Sequence, residues 1–128
     1  MRVLLDTCTF LWIIAGSKDL SPTATHQFAD PDNEVFLSVV SLWEISVKHA
    51  LGKLPLPTPI ERFLVEQRER HEITVLPLEE QAVLYLHKLP RLHRDPFDRM
   101  LICQALQHEC IVLTPDPLIV QYPVRTRW

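Results

Sequence analysis

Val3-Leu4-Leu5-Asp6 is an apolar run just long enough for a buried strand, closed by an acid. Ile111-Val112-Leu113-Thr114 has the same form far down the chain, with Asp116 two positions beyond. In an open parallel α/β sheet the carboxyl ends of the strands line one edge, and ligands bind in the crevice there. Two strands that end in this way would bring Asp6 and Asp116 to the same edge. Between them, strand-like apolar runs alternate with stretches of helical period, the pattern of an α/β fold with a mainly parallel sheet.

The intervening signals predict a helix through Phe10-Leu11-Trp12-Ile13-Ile14 ended by Gly16, and a second from the cap Ser21-Pro22 to about Ala29. Val35-Phe36-Leu37 reads as a strand feeding a helix from about Val39 to Leu51, with Gly52 at the terminating position. Pro59 to about Arg70 reads as a helix, Ile73-Thr74-Val75 as a strand, and Glu79 to Lys88 as a helix stopped before Pro90. Asp95-Pro96 has the form of a helix cap followed by Pro at the first helical position.

The chain has 128 residues, 47% hydrophobic and 23% charged, which fits one globular domain over residues 1–128. No apolar stretch is long enough for a membrane span, and an acid as early as Asp6 leaves no signal-peptide core, so a cytoplasmic protein is expected. Cys8, Cys103 and Cys110 form neither a disulfide framework nor a zinc ribbon and are read as small buried hydrophobes. The six histidines lack zinc-type spacing and receive no metal role. With a net charge of −3, any nucleic-acid contact must come from a local basic patch.

Glu44 and Asp98 complete a set of four acids with Asp6 and Asp116. From Asp98 the apolar Leu101, Ile102 and Ala105 follow at helical spacing, which puts its carboxylate on the buried face of its own helix. Glu44 lies at the margin of a stripe of Val40, Val47 and Leu51. Each acid also has a plain structural reading. Asp6 and Asp116 suit helix caps, Asp98 suits a capping box, and Glu44 suits a surface pair with Lys48. Magnitudes separate the two readings. Unpaired carboxylates about 4 Å apart at an effective dielectric of roughly 20 repel by about 4 kcal/mol, against roughly 1 kcal/mol for a cap. Acids that converge therefore need a cation, and an all-oxygen set suits Mg²⁺ or Mn²⁺ better than zinc.

Leu4-Leu5-Asp6-Thr7, Ser41-Leu42-Trp43-Glu44-Ile45, Arg94-Asp95-Pro96-Phe97-Asp98-Arg99 and Leu113-Thr114-Pro115-Asp116 occur in an order that resembles PIN-domain ribonucleases of the VapC toxin type. The resemblance spans nearly the whole chain. It implies a three-layer α/β/α sandwich with a mainly parallel sheet, and Mg²⁺- or Mn²⁺-dependent endonuclease activity on RNA that leaves 5′-phosphate and 3′-hydroxyl ends. It also implies a cognate antitoxin, in a homodimer or a toxin–antitoxin hetero-oligomer. Carried over by position, Asp6, Glu44, Asp98 and Asp116 match the acids of the catalytic metal pocket, and Asp95 supports them from outside it. Thr7 and Thr114 stand where a hydroxyl beside an acid is common, each placed to hydrogen-bond a carboxylate. Cys8 departs from the pattern, which usually has a polar residue there.

Arg91, His93, Arg94 and Arg99 surround the Asp95–Asp98 segment as a candidate phosphate-gripping rim. Phe10, Leu11 and Trp12 are candidate interface residues, with core packing as the alternative. Two rival functions remain on sequence grounds. One is a catalytically weak interaction module of the same fold. The other is a phosphatase or receiver-like protein using Asp6 as phosphoryl acceptor, which is opposed by Cys8 at the position where an Asp-x-Asp motif needs its second acid.

Overall fold

The computed structural model describes residues 1–128 and has the predicted alternation of strands and helices. In chain order the elements are β1 (Arg2–Leu5), α1 (Thr7–Ala15), α2 (Pro22–Ala29), β2 (Glu34–Ser38), α3 (Val39–Ala50) and α4 (Ile60–Arg70). There follow β3 (Thr74–Leu76), α5 (Glu80–Tyr85), α6 (Pro96–His108), β4 (Ile111–Leu113), α7 (Pro117–Val120) and β5 (Thr126–Arg127). The helix expected from Glu79 to Lys88 is divided, with a 3₁₀ turn at Leu86–Lys88 tightening its last part. Gly16 ends α1 at φ 63°, a left-handed conformation that costs a residue without Cβ nothing.

All five strands run parallel in the order β3-β2-β1-β4-β5. From β1 the chain winds outward through β2 to β3, then returns to the other side of β1 for β4 and β5. The point where the winding reverses therefore lies between β1 and β4. Their register pairs Leu5 with Leu113, which leaves Asp6 and Thr114 as the next residues on adjacent strand ends.

Strand alternation sorts the apolar residues into two cores, one on each face of the sheet. Leu4, Phe36 and Val112 face α5, α6 and α7 and pack with Ala82, Leu101, Ile102 and Ile119. Val3, Leu5, Leu37, Ile111 and Leu113 face the other way and pack with Phe10, Ile13, Ala24, Ile45 and Leu64 from the first four helices. The result is an α/β/α sandwich. Phe10 is fully buried, so the interface reading for that residue gives way to core packing. Trp12 is partly covered by the C-terminal Trp128, their rings 5.7 Å apart.

Candidate metal and catalytic site

The reversal between β1 and β4 falls at the carboxyl edge of the sheet, where open α/β folds have the crevice that takes ligands. Asp6 lies at that edge, 5% exposed. Its Oδ1 caps α1 by accepting from the Thr9 backbone N–H at 2.8 Å, and its Oδ2 accepts from Thr114 Oγ1 at 2.5 Å. Capping and site placement are thus combined in one carboxylate. Burial raises the proton affinity of Asp6, its hydrogen bonds lower it, and the nearby charge of Asp116 raises it further. No Lys, Arg or His forms an ion pair with it.

Glu44 enters from α3 and is 4% exposed, too deep for the surface pair that its spacing suggested. Lys48 does reach it one turn on, donating from Nζ to Oε2 at 2.5 Å, and Thr7 Oγ1 donates to Oε1 at 2.7 Å. Its own hydrogen bond to Glu44 raises the Lys48 pKa. With α1 and α6 packed against α3, Glu44 is buried while Lys48 stays half exposed, which helical spacing alone does not reveal.

Asp98 projects from the first turn of α6, with Asp95 capping the helix through Oδ1 to the N–H groups of Phe97 and Asp98. The His93 ring contacts Asp98 Oδ2 at 3.2 Å through Nε2. Burial, then repulsion from Asp95, pushes the Asp98 carboxyl up to about 6, with further repulsion from Glu44 and Asp116. Asp116 caps α7 by accepting from the Leu118 N–H at 2.9 Å, while its own N–H donates to Thr114 Oγ1 at 3.1 Å.

Asp6 thus feels the charge of Asp116, and Asp98 feels those of Glu44 and Asp116, which links the four acids electrostatically. As the side chains stand, no three Asp, Glu, His or Cys groups lie close enough to enclose one ion. The donor chemistry nevertheless fits a hard divalent cation: the set is all oxygen, Asp6 lacks a cationic partner, and Asp98 Oδ1 has no protein donor. Magnesium commonly keeps several waters and takes only one or two carboxylates, so a hydrated ion suits this wider spacing.

Three sequence expectations change here. Cys8 is exposed, unlike the buried Cys103 and Cys110, and its thiol is raised first by desolvation and then by the charges of Asp6 and Glu44. It stands at the acidic crevice. Arg99 is committed to the Leu89 and Pro90 carbonyls and to Tyr122 Oη, so it is not a free phosphate ligand. His93 uses both ring nitrogens, on Tyr122 and Asp98. Arg91 and Arg94 are left as the uncommitted cations of the rim, beside an open pocket of about 440 Å³. The importance of Tyr122 was not visible in sequence, because nothing in its spacing ties it to residues 93 and 99.

No curated protein matches the chain. Among solved structures, VapBC2 from Rickettsia felis, bound to a DNA fragment from its promoter, has a TM-score of 0.73 at 13% identity and covers 99% of this chain and 98% of that one. VapBC-1 from nontypeable Haemophilus influenzae has a TM-score of 0.69 at 17% identity, covering 99% and 97%. DNA-bound VapBC from Salmonella typhimurium has a TM-score of 0.68 at 18% identity, again covering 99% and 97%. At these identities the likeness is one of fold. The family model described as the PIN domain matches residues 3–123, nearly the full length, and the chain belongs to that family.

Proposed function

We propose that this chain is a Mg²⁺- or Mn²⁺-dependent endoribonuclease, the toxin of a toxin–antitoxin pair. The observation that supports the reading most is electrostatic: Asp6, at the end of β1 beside β4, feels the charge of Asp116, and Asp98 feels those of Glu44 and Asp116, with Lys48 the one lysine paired to any of them. Membership of the PIN domain family supports hydrolysis of nucleic acid, and the VapBC structures support an antitoxin partner. A homodimer or a toxin–antitoxin hetero-oligomer is the assembly that goes with this reading. No helix is long and apolar enough to cross a membrane.

Asp6 and Asp98 would hold the ion directly or through water, with Asp116 completing the set beside Asp6. When bound, it would supply positive charge against the charge developing on the phosphate oxygens and make a nearby water more acidic. The chain's own residues do the rest. Thr114 and Thr9 hold the Asp6 carboxylate in place, and Thr7 and Lys48 do the same for Glu44. Glu44 would orient the attacking water. Arg91 and Arg94 would hold phosphates of the RNA on the flank, where arginine's planar fork suits two phosphate oxygens at once.

Cys8 at the crevice, where a polar side chain would help to position water, is the observation on the side of a catalytically weak interaction module. One assay separates the two. Purified chain, freed of any bound protein, is incubated with structured and single-stranded RNA in Mg²⁺, Mn²⁺ or EDTA, alongside Asp6→Asn. Metal-dependent cleavage absent from the variant supports the nuclease; no cleavage by either protein in any metal supports the module.

A further inference from the structure

Tyr122 is 3% exposed, yet its hydroxyl meets three nitrogen atoms. Arg99 Nη1 donates to Tyr122 Oη at 2.9 Å, the His93 backbone N–H donates to it at 3.2 Å, and His93 Nδ1 lies 2.8 Å away. A phenol oxygen accepts about two hydrogen bonds and donates one. Arginine and the backbone amide can only donate, so they fill the acceptor positions and the phenol proton must go to Nδ1. Nδ1 is then the accepting nitrogen of the ring, and the ring proton sits on Nε2, which faces Asp98 Oδ2 at 3.2 Å. A doubly protonated ring would aim a third donor at the same phenol oxygen.

The surroundings hold this arrangement in place. Arg99 is anchored by the Pro90 carbonyl at 2.7 Å, and its guanidinium lies 6.0 Å from the centre of the Tyr122 ring. The Tyr122 and His93 rings meet edge to face with centroids 5.3 Å apart. The His93 side chain is 8% exposed, so water has little access to compete for its nitrogens.

We infer that Arg99, Tyr122 and His93 are positioning residues, a hydrogen-bonded relay that locks His93 as its Nε2–H tautomer and holds Asp98 by Oδ2, leaving Oδ1 free for a divalent ion or its water. The inference rests on Asp98 belonging to the proposed metal site. In metal sites a ligating histidine is held by a carboxylate or carbonyl behind it, and such supporting groups tune metal affinity. Here the order is reversed, with the imidazole as the supporting group and the carboxylate as the ligand.

The test uses the full ¹⁵N-labelled chain with Tyr122→Phe, His93→Leu and His93→Gln. Long-range ¹H–¹⁵N spectra of the metal-free protein read the His93 tautomer, calorimetric titration reads Mn²⁺ affinity, and kcat and KM are measured on a single-stranded RNA. Wild type is expected to show the Nε2–H pattern and Tyr122→Phe a mixture of tautomers. His93→Leu is expected to weaken Mn²⁺ binding by roughly 10- to 100-fold, and Tyr122→Phe by about 10-fold. His93→Gln, which keeps a donor within reach of Asp98, should recover most of that loss, and kcat should fall with KM little changed. An Nδ1–H pattern in wild type, or Mn²⁺ bound as tightly by His93→Leu and Tyr122→Phe as by wild type, would overturn the relay. If no protein cleaves RNA while the tautomer change and the Mn²⁺ losses hold, the nuclease reading fails and the relay stands.

Discussion

Thr114 Oγ1 donates to Asp6 Oδ2 at 2.5 Å, joining the end of β4 to the end of β1 at the point where the sheet reverses. The same Thr114 oxygen accepts the Asp116 N–H, so one hydroxyl ties together two of the four acids. Thr114→Val keeps the shape and removes both bonds. With Asp6 Oδ2 and the Asp116 N–H left without partners, the variant should lose about 1 to 3 kcal/mol of stability. Mn²⁺ affinity should fall by roughly 10-fold, the effect of a lost supporting hydrogen bond. Denaturant unfolding and calorimetry check the two effects; unchanged values in both would show that the hydroxyl holds nothing.

Asp6→Asn separates the cap from the site. Asparagine caps a helix about as well as aspartate, so α1 keeps its Thr9 bond and the variant should fold. Because burial disfavours the Asp6 charge, the metal-free variant should be at least as stable as wild type. RNA cleavage should fall by more than roughly 100-fold, beyond the range for a supporting group. A well-folded Asp6→Asn that cleaves normally would remove Asp6 from the proposed machinery and leave it as a cap.

Cap and ligand were competing readings of the sequence at Asp6, and the cap is what its contacts display: Oδ1 accepts from the Thr9 N–H, while Oδ2 accepts from Thr114. The strand ends at Leu5 and Leu113 were legible because uninterrupted apolar runs announce buried parallel strands. The cap at Asp95 was legible from Asp-Pro. β5 was not, since Thr126–Arg127 has no apolar run and is held by backbone bonds such as Thr114 N–H to the Arg127 carbonyl. The depth of Glu44 and the meeting of His93 with Tyr122 depend on how distant elements pack. No local period encodes them, and a pattern read over one or two turns cannot supply them.

Asp98 should make the metal-free protein sensitive to pH. Its carboxyl is raised to about 6 in the folded chain, first by burial and then by Asp95, whereas an unfolded Asp titrates near 3.9. Between these values the native state holds the proton more tightly, so this contribution is fully present below about pH 4 and is lost as pH rises through about 6. The carboxylate is partly exposed, and after solvent screening the effect is on the order of 1 to 2 kcal/mol. In EDTA, thermal unfolding should show Asp98→Asn gaining on wild type from pH 4 to 7. A constant difference across that range would place the Asp98 pKa elsewhere.

Arg91 and Arg94 differ from Arg99 in what they are free to do. Arg99 holds Pro90, Leu89 and Tyr122, so Arg99→Gln should reduce stability and disturb Asp98 through His93. Arg91→Gln with Arg94→Gln should leave the fold intact and raise KM for RNA. Each lost phosphate contact on a single strand should reduce the slope of log affinity against log salt by about 0.7, so the double variant should lose roughly 1.4. An unchanged slope would mean that the RNA follows a path away from this rim.

Lys48 should behave opposite to the acids. It is the ion-pair partner of the buried Glu44, with its own side chain 48% exposed. Lys48→Met leaves Glu44 with Thr7 as its remaining donor and should cost about 1 kcal/mol of metal-free stability, the size of a half-exposed pair. It also deepens the negative potential of the crevice, so a divalent ion should bind more tightly and stabilise the variant more than wild type. Unfolding temperatures with and without Mn²⁺ read this directly. A smaller Mn²⁺-induced rise in Lys48→Met would mean that Lys48 serves chiefly to hold Glu44 in place and that Glu44 must be so held for the ion to bind.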